Sequence, residues 1–119
     1  MINNLFDNEN AIFMGAKRNP DDCSIGIFGV NYDGTCSFKP GARFGPEAIR
    51  QVSSCLETYC PKINKDLEDT MYVDFGSILI DKNDSKSVIE SVKSATNFLI
   101  NKGLSPIMLG GEHLSLIHI

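Results

Sequence analysis

The feature that most constrains this chain is a regular alternation of short apolar runs with longer amphipathic segments. Ser24-Ile25-Gly26-Ile27-Phe28-Gly29-Val30 is an apolar run of strand length that ends in turn residues. Pro46 then opens a helix, because its fixed φ and missing N–H suit a first turn. Ala48, Ile49, Val52 and Leu56 follow it at helical spacing. Met71 to Phe75 forms a second strand, closed by Gly76. A second helix runs from a cap at Asp84 or Ser85 to Lys102, with Gly103 as its stop. Its apolar residues Val88, Ile89, Val92, Ala95, Phe98 and Leu99 share one stripe. Ser105 to Leu109 is a third strand, broken by Gly110-Gly111. Strands alternating with helices predict an α/β fold, a parallel sheet with helices packed on its faces.

Charge and composition narrow the function classes. Eleven basic residues stand against fifteen acidic ones, a formal net charge of −4, and the basic residues are scattered. A nucleic-acid partner needs a clustered basic surface, so that class is excluded. No stretch is long and apolar enough to span a bilayer, and the N-terminus lacks a basic segment before an apolar one, which leads us to expect a cytoplasmic protein. Cys23, Cys36, Cys55 and Cys60 form no CxxC pair, and reduced thiols are expected. A zinc site built from the four is the alternative, but no His accompanies them at finger-like spacing.

In open parallel sheets, ligands gather at the carboxyl ends of the strands. Asn31–Gly45, Asp74–Ser77 and Gly110–His113 all arrive there. Two glycines after an apolar strand let Gly110-Gly111-Glu112-His113 turn tightly and deliver an imidazole to that edge. His113 is then either a metal or substrate ligand or a strand-end His with a local hydrogen bond. Arg43, in the long Gly- and Pro-rich loop, offers a planar fork, and the favoured role is to tie down the loop. Asp74 could move a proton or bind metal, but capping the turn at Gly76 is favoured. Gly26, Gly29 and Gly34 do not match the dinucleotide-binding spacing. With His113 and His118 as its histidines, the chain offers no Ser–His–Asp arrangement.

Several collinear segments resemble one known family. Gly29-Val30-Asn31-Tyr32-Asp33-Gly34-Thr35, followed by Pro40-Gly41-Ala42-Arg43-Phe44-Gly45-Pro46-Glu47-Ala48-Ile49-Arg50, closely resembles the N-terminal signature of the agmatinase branch of the arginase, or ureohydrolase, family. Asp74-Phe75-Gly76-Ser77-Ile78 is similar to its D-x-G-D-[IV] strand end, and Leu109-Gly110-Gly111-Glu112-His113 to its G-G-[DE]-H-S motif. The resemblance implies a three-layer α/β/α fold with a central parallel sheet, of which this chain is the N-terminal part only. It also implies a binuclear Mn²⁺ centre, with His113 matching the first manganese ligand. The reaction implied is hydrolysis of a guanidinium group to urea and an amine, agmatine giving putrescine in this branch. Family members are homo-oligomers, and the partner expected is a small guanidinium substrate.

Two departures accompany the resemblance. Ser77 stands where the family has a second Asp, and Leu114 where it has Ser. The D-A-H-x-D and D-x-D motifs that supply the other ligands in the family have no counterpart here. Leu114-Ser115-Leu116-Ile117-His118-Ile119 matches, residue for residue, one translated frame of a DNA library adapter, CTGTCTCTTATACACATC. The expectation is therefore that residues 1–113 are the N-terminal part of a single ureohydrolase domain and 114–119 a non-native tail. One imidazole cannot hold two manganese ions, so the 119-residue polypeptide is expected to be inactive. The alternatives are another ureohydrolase (an arginase, guanidinobutyrase or formiminoglutamase) or a non-catalytic α/β binding module.

Overall fold

Three apolar runs of the sequence lie side by side as parallel strands, and their side-chain alternation decides what each face of the sheet receives. The computed structural model describes residues 5–7, 12–17, 19–34, 41–80 and 85–110. In chain order the elements are β1 (Phe6–Asp7), β2 (Ile25–Gly29), α1 (Gly45–Ser53), β3 (Tyr59–Cys60), β4 (Lys65–Asp66), β5 (Tyr72–Ile78), α2 (Ser85–Asn101) and β6 (Ser105–Leu109). Short 3₁₀ turns occupy Pro20–Asp22, Ala42–Phe44 and Leu67–Asp69. The main sheet has the order β1-β5-β2-β6, with β2 parallel to both β5 and β6.

This is the expected α/β architecture with one addition. β1 pairs antiparallel to β5, through Phe6↔Ile78 and Asp7↔Ser77, and makes the sheet mixed. A two-residue strand carries too little pattern to be seen in sequence. Its place is held by Phe6, whose ring stacks on Phe75 at 5.2 Å and meets Phe98 at 5.9 Å. β3 and β4 form a separate two-stranded hairpin.

One face of the sheet carries the main core. Val88, Val92, Ala95 and Leu99 of α2 are buried against Phe28, Val30, Val73 and Phe75. A Cβ on Gly26 would stand 2.6 Å from Leu99 Cδ2, so the helix sits as close as it does because β2 has no side chain there. Thr96, buried on the same helix, donates its hydroxyl to the Val92 carbonyl at 2.9 Å and leaves no unpaired oxygen. α2 ends as the sequence predicts. Gly103 adopts φ +79°, its N–H donates to Ile100 O at 2.9 Å, and Leu104 N–H reaches back to Leu99 O at 3.0 Å. The proposed cap at Asp84 lies outside the described residues.

The opposite face is covered by α1, which the sequence pattern misorients. The helix begins at Gly45 and Pro46 as expected but ends at Ser53, short of Leu56. It buries Pro46, Arg50 and Ser53, whereas Ile49, Val52 and Leu56 are exposed. Apolar periodicity failed because the sheet beneath α1 offers buried oxygen acceptors to an arginine.

Candidate functional site at the carboxyl edge

Arg50 is the centre of the described carboxyl edge. Its side chain is fully buried, as is that of Asp74. Arg50 Nε donates to Asp74 Oδ2 at 2.8 Å, and Nη2 donates to Asp74 Oδ1 at 3.0 Å, a bidentate pair. Nη1 donates to Glu47 Oε1 and to Ser77 Oγ, both at 3.1 Å. Ser77 Oγ in turn donates to Asn31 Oδ1 at 3.4 Å, which ties the start of the loop after β2 to the end of β5.

Backbone geometry makes this cluster possible. Residues three apart on a strand normally point to opposite faces. Here Ile27 pairs with Asp74 but Gly29 pairs with Ser77, so β5 carries one extra residue, and Gly76 sits at φ +85°. The bulge turns Asp74 and Ser77 to the same side, toward Arg50. Gly76, expected to close the strand, instead bends it, and pairing continues to Ile78. Gly29 completes the fit. A Cβ at that position would lie 2.6 Å from Ser77 Oγ, 2.9 Å from Pro46 Cβ and 3.3 Å from Arg50 Nη1.

Asp74 is consumed by this arrangement. Besides the two Arg50 bonds it accepts the Phe13 N–H at 2.8 Å and the Gly76 N–H at 2.9 Å. The turn-capping role expected for it is present, and its carboxylate is saturated with donors, leaving no lone pair aimed at a metal or a proton. Arg50 itself was missed in the sequence. The signal that could have found it is the pairing of Gly29 with the Asp74–Ser77 segment, since a Gly inside a strand marks close approach by another group.

Asp33 organises the loop that follows β2. Its Oδ2 accepts the Gly41 N–H at 2.6 Å and the Arg43 N–H at 3.4 Å, and lies 3.7 Å from Arg43 Nε. The Gly41 N–H, aided by Arg43, holds the Asp33 carboxyl below the usual carboxylate range against a smaller opposing cost of desolvation. Arg43 also places its guanidinium 5.2 Å from the Phe44 ring centre. It is the loop anchor the sequence favoured.

The third segment arrives where topology requires. Val30 N–H donates to Leu109 O at 2.9 Å, and a Cβ on Gly45 would lie 3.3 Å from Gly110 O. The carboxyl ends of β2 and β6 and the head of α1 therefore meet. Gly111, Glu112 and His113 lie outside the described residues. Among the described residues no group of three or more His, Cys, Asp or Glu side chains could hold a metal ion, so they do not by themselves supply a manganese site. Cys23, Cys55 and Cys60 are free thiols, and Cys36 lies outside the described residues. No helix among the described residues is long and apolar enough to cross a membrane.

An open cleft of about 530 Å³, lined by residues that include Met14, Ser54, Leu56, Glu57, Tyr59 and Glu68, lies at the far end of α1. Ser53, next to it, binds Met14 N–H, and the Met14 carbonyl accepts from Tyr72 at the start of β5. The cleft is thus at the amino edge of the sheet, away from the candidate site.

The sequence profile of the Arginase family matches residues 23–119. An agmatinase from Halalkalibacterium halodurans is 38% identical over 103 residues, which cover 87% of this chain and 36% of the relative. The crystal structure of agmatine ureohydrolase of Thermoplasma volcanium superposes with a TM-score of 0.82 at 29% identity, over 90% of this chain and 36% of that one. A Trypanosoma cruzi formiminoglutamase structure with Mn²⁺ shares the fold at a TM-score of 0.65 and 24% identity, over 77% of this chain and 33% of that one. The chain spans about a third of the length of the curated relatives it matches.

Proposed function

Because the chain belongs to the arginase family, we propose that it is the N-terminal part of a manganese-dependent agmatinase, which hydrolyses agmatine to putrescine and urea. The observation that carries this reading is the 38% identity to an agmatinase over 87% of the chain. The described geometry is consistent with it, because β2, β5 and β6 bring their carboxyl ends together at the edge where ligands gather in such sheets.

Within this proposal each part of the chain has a task. His113, four residues after the end of β6, contributes one imidazole to a binuclear Mn²⁺ centre whose other ligands lie further along the protein. Manganese supplies Lewis-acid activation of water there. Arg50 holds the β5 bulge and the start of the Asn31 loop in place, and Asp33 with Arg43 fixes the far end of that loop. Asp74 and Asp33 are both engaged within these clusters, and the groups that hold the cationic guanidinium are proposed to lie in the rest of the enzyme. The 119-residue chain alone is proposed to be inactive, and the intact enzyme to be a cytoplasmic homo-oligomer.

The test is urea release by the longer product of the same gene, supplied with Mn²⁺ and challenged in parallel with agmatine, arginine, guanidinobutyrate and formiminoglutamate. Preference for agmatine supports the proposal. Preference for another member of the panel moves the protein to a different branch of the family, and no turnover of any leaves a binding module.

A further inference from the structure

The segment from Phe13 to Lys17 is fastened to the sheet by hydrogen bonds more than by apolar burial. Phe13 N–H donates to Asp74 Oδ2 at 2.8 Å, and Met14 N–H donates to Ser53 Oγ at 3.1 Å. The Met14 carbonyl accepts from the Tyr72 hydroxyl, and Lys17 N–H donates to the Tyr72 carbonyl at 2.7 Å. Gly15 turns the chain between these contacts at φ +75°, where an added Cβ would lie 2.9 Å from Tyr72 Oη. The side chains of Ser53, Tyr72 and Asp74 that hold this strap are buried. Phe13 and Met14 themselves are half-buried and stand outside the apolar cluster under α2. A strap held in this way opens locally at less cost than the core, because few apolar contacts are lost.

What the strap touches is continuous with the carboxyl edge. Asp74 Oδ2 is shared, taking Phe13 N–H and Arg50 Nε at 2.8 Å each. A guanidinium can only donate, so the Ser77 hydroxyl oxygen accepts from Arg50 Nη1, and its single proton is left for Asn31 Oδ1. Each group in the series Phe13, Asp74, Arg50, Ser77 and Asn31 therefore has one role that fits its neighbours. Turning Asp74, Arg50 or Ser77 would leave a buried partner unpaired, which is costly where water is excluded. Two residues beyond Asn31, Asp33 gathers the Gly41 and Arg43 N–H groups.

We infer that Phe13 to Lys17 is a latch. Its seating on Asp74, Ser53 and Tyr72 sets, through Arg50 and Ser77, how firmly the Asn31, Asp33 and Arg43 anchors of the carboxyl-edge loop are held. Coupling of this kind is reciprocal, so whatever steadies those anchors also seats the strap. The inference does not depend on the reaction that the protein performs.

Limited trypsin digestion of the full gene product, followed by mass spectrometry, reads both ends of this series in one reaction. Lys17 reports on the strap and Arg43 on the loop anchor, with Lys93 on α2 as the reference. At low protease, cleavage tracks the population of the opened form. Tyr72→Phe keeps the ring and removes the hydroxyl that holds Met14, whereas Ser77→Ala breaks the series at the carboxyl edge. The expected result is that each variant speeds cleavage after both Lys17 and Arg43 by at least about fivefold and leaves Lys93 unchanged. Ser53→Ala, which removes the acceptor of Met14 N–H, is expected to repeat the pattern of Tyr72→Phe. Faster cleavage at the site nearest each substitution alone, or at neither site, makes strap and loop independent and overturns the inference. A rise at all three sites is a general loss of stability and overturns it as well.

Discussion

Arg50 and Asp74 meet edge to edge, Nε to Oδ2 at 2.8 Å and Nη2 to Oδ1 at 3.0 Å, with both side chains sealed from water. Removing one partner leaves the other charge buried and unpaired, which costs about 3–5 kcal/mol. Arg50→Ala or Asp74→Ala is therefore expected to lower the stability of the chain by that amount, measured as the shift in urea midpoint at constant slope. A loss below about 1 kcal/mol would place the pair among ordinary surface ion pairs and contradict the burial seen here.

Gly29 is predicted to tolerate no side chain. Gly29→Ala would drive a Cβ to 2.6 Å from Ser77 Oγ and 2.9 Å from Pro46 Cβ, so α1 must lift away from the sheet. Overpacking of this kind costs about 1–3 kcal/mol. Thermal melts of Gly29→Ala beside the wild type check this, and an unchanged melting temperature would show that α1 moves without cost.

The Asp33 carboxyl, held below the usual carboxylate range chiefly by the Gly41 N–H, gives a pH dependence of known sign. A depressed carboxyl stabilises the folded loop above its unfolded pKa, and that contribution is lost as pH falls through the lower folded value. NMR titration of Asp33 is expected to show a midpoint below that of an exposed Asp, and Asp33→Asn to remove the acid-dependent shifts of the Gly41 and Arg43 amides. A normal midpoint would mean that the carboxylate does not gather those N–H groups in solution.

Much of the fold was legible because its cause is local. β2 and β6 are apolar runs, α2 carries a six-residue stripe, and Gly103 stops that helix through a left-handed φ that glycine adopts freely. Arg43 and the cap at Asp74 followed from the chemistry of their side chains. What escaped depends on contacts distant in sequence. β1 is held by the rings around Phe6, and a two-residue strand has no period. Arg50 reads as surface in any periodicity scheme, because its burial is decided by Asp74 and Ser77, 24 and 27 residues away. Ile49 and Val52, which share a helical spacing in the sequence, are exposed because the sheet beneath α1 takes the polar side of the helix. Of the candidate site, the convergence of strand ends was legible from topology, whereas His113 stands on sequence resemblance.

Reading the source locus through the codon for His113 checks the status of the last six residues. The expectation is a Ser codon after His113, in keeping with the G-G-[DE]-H-S motif, and a frame that reaches D-A-H-x-D and D-x-D. A locus that encodes Leu114 to Ile119 followed by a stop would make the six residues native, His118 included, and leave the protein without the D-A-H-x-D and D-x-D ligands of a binuclear centre.

The most direct test of the central claim is urea release from agmatine by the longer gene product, with Mn²⁺ and after its removal by a chelator, for the wild type and for His113→Ala. The account predicts turnover that vanishes on chelation, returns with Mn²⁺, and falls by at least about 100-fold in His113→Ala, a loss within the range that removing one essential catalytic group produces. Agmatine turnover that survives both chelation and the loss of His113 would contradict it, as would a wild-type protein that releases no urea at all.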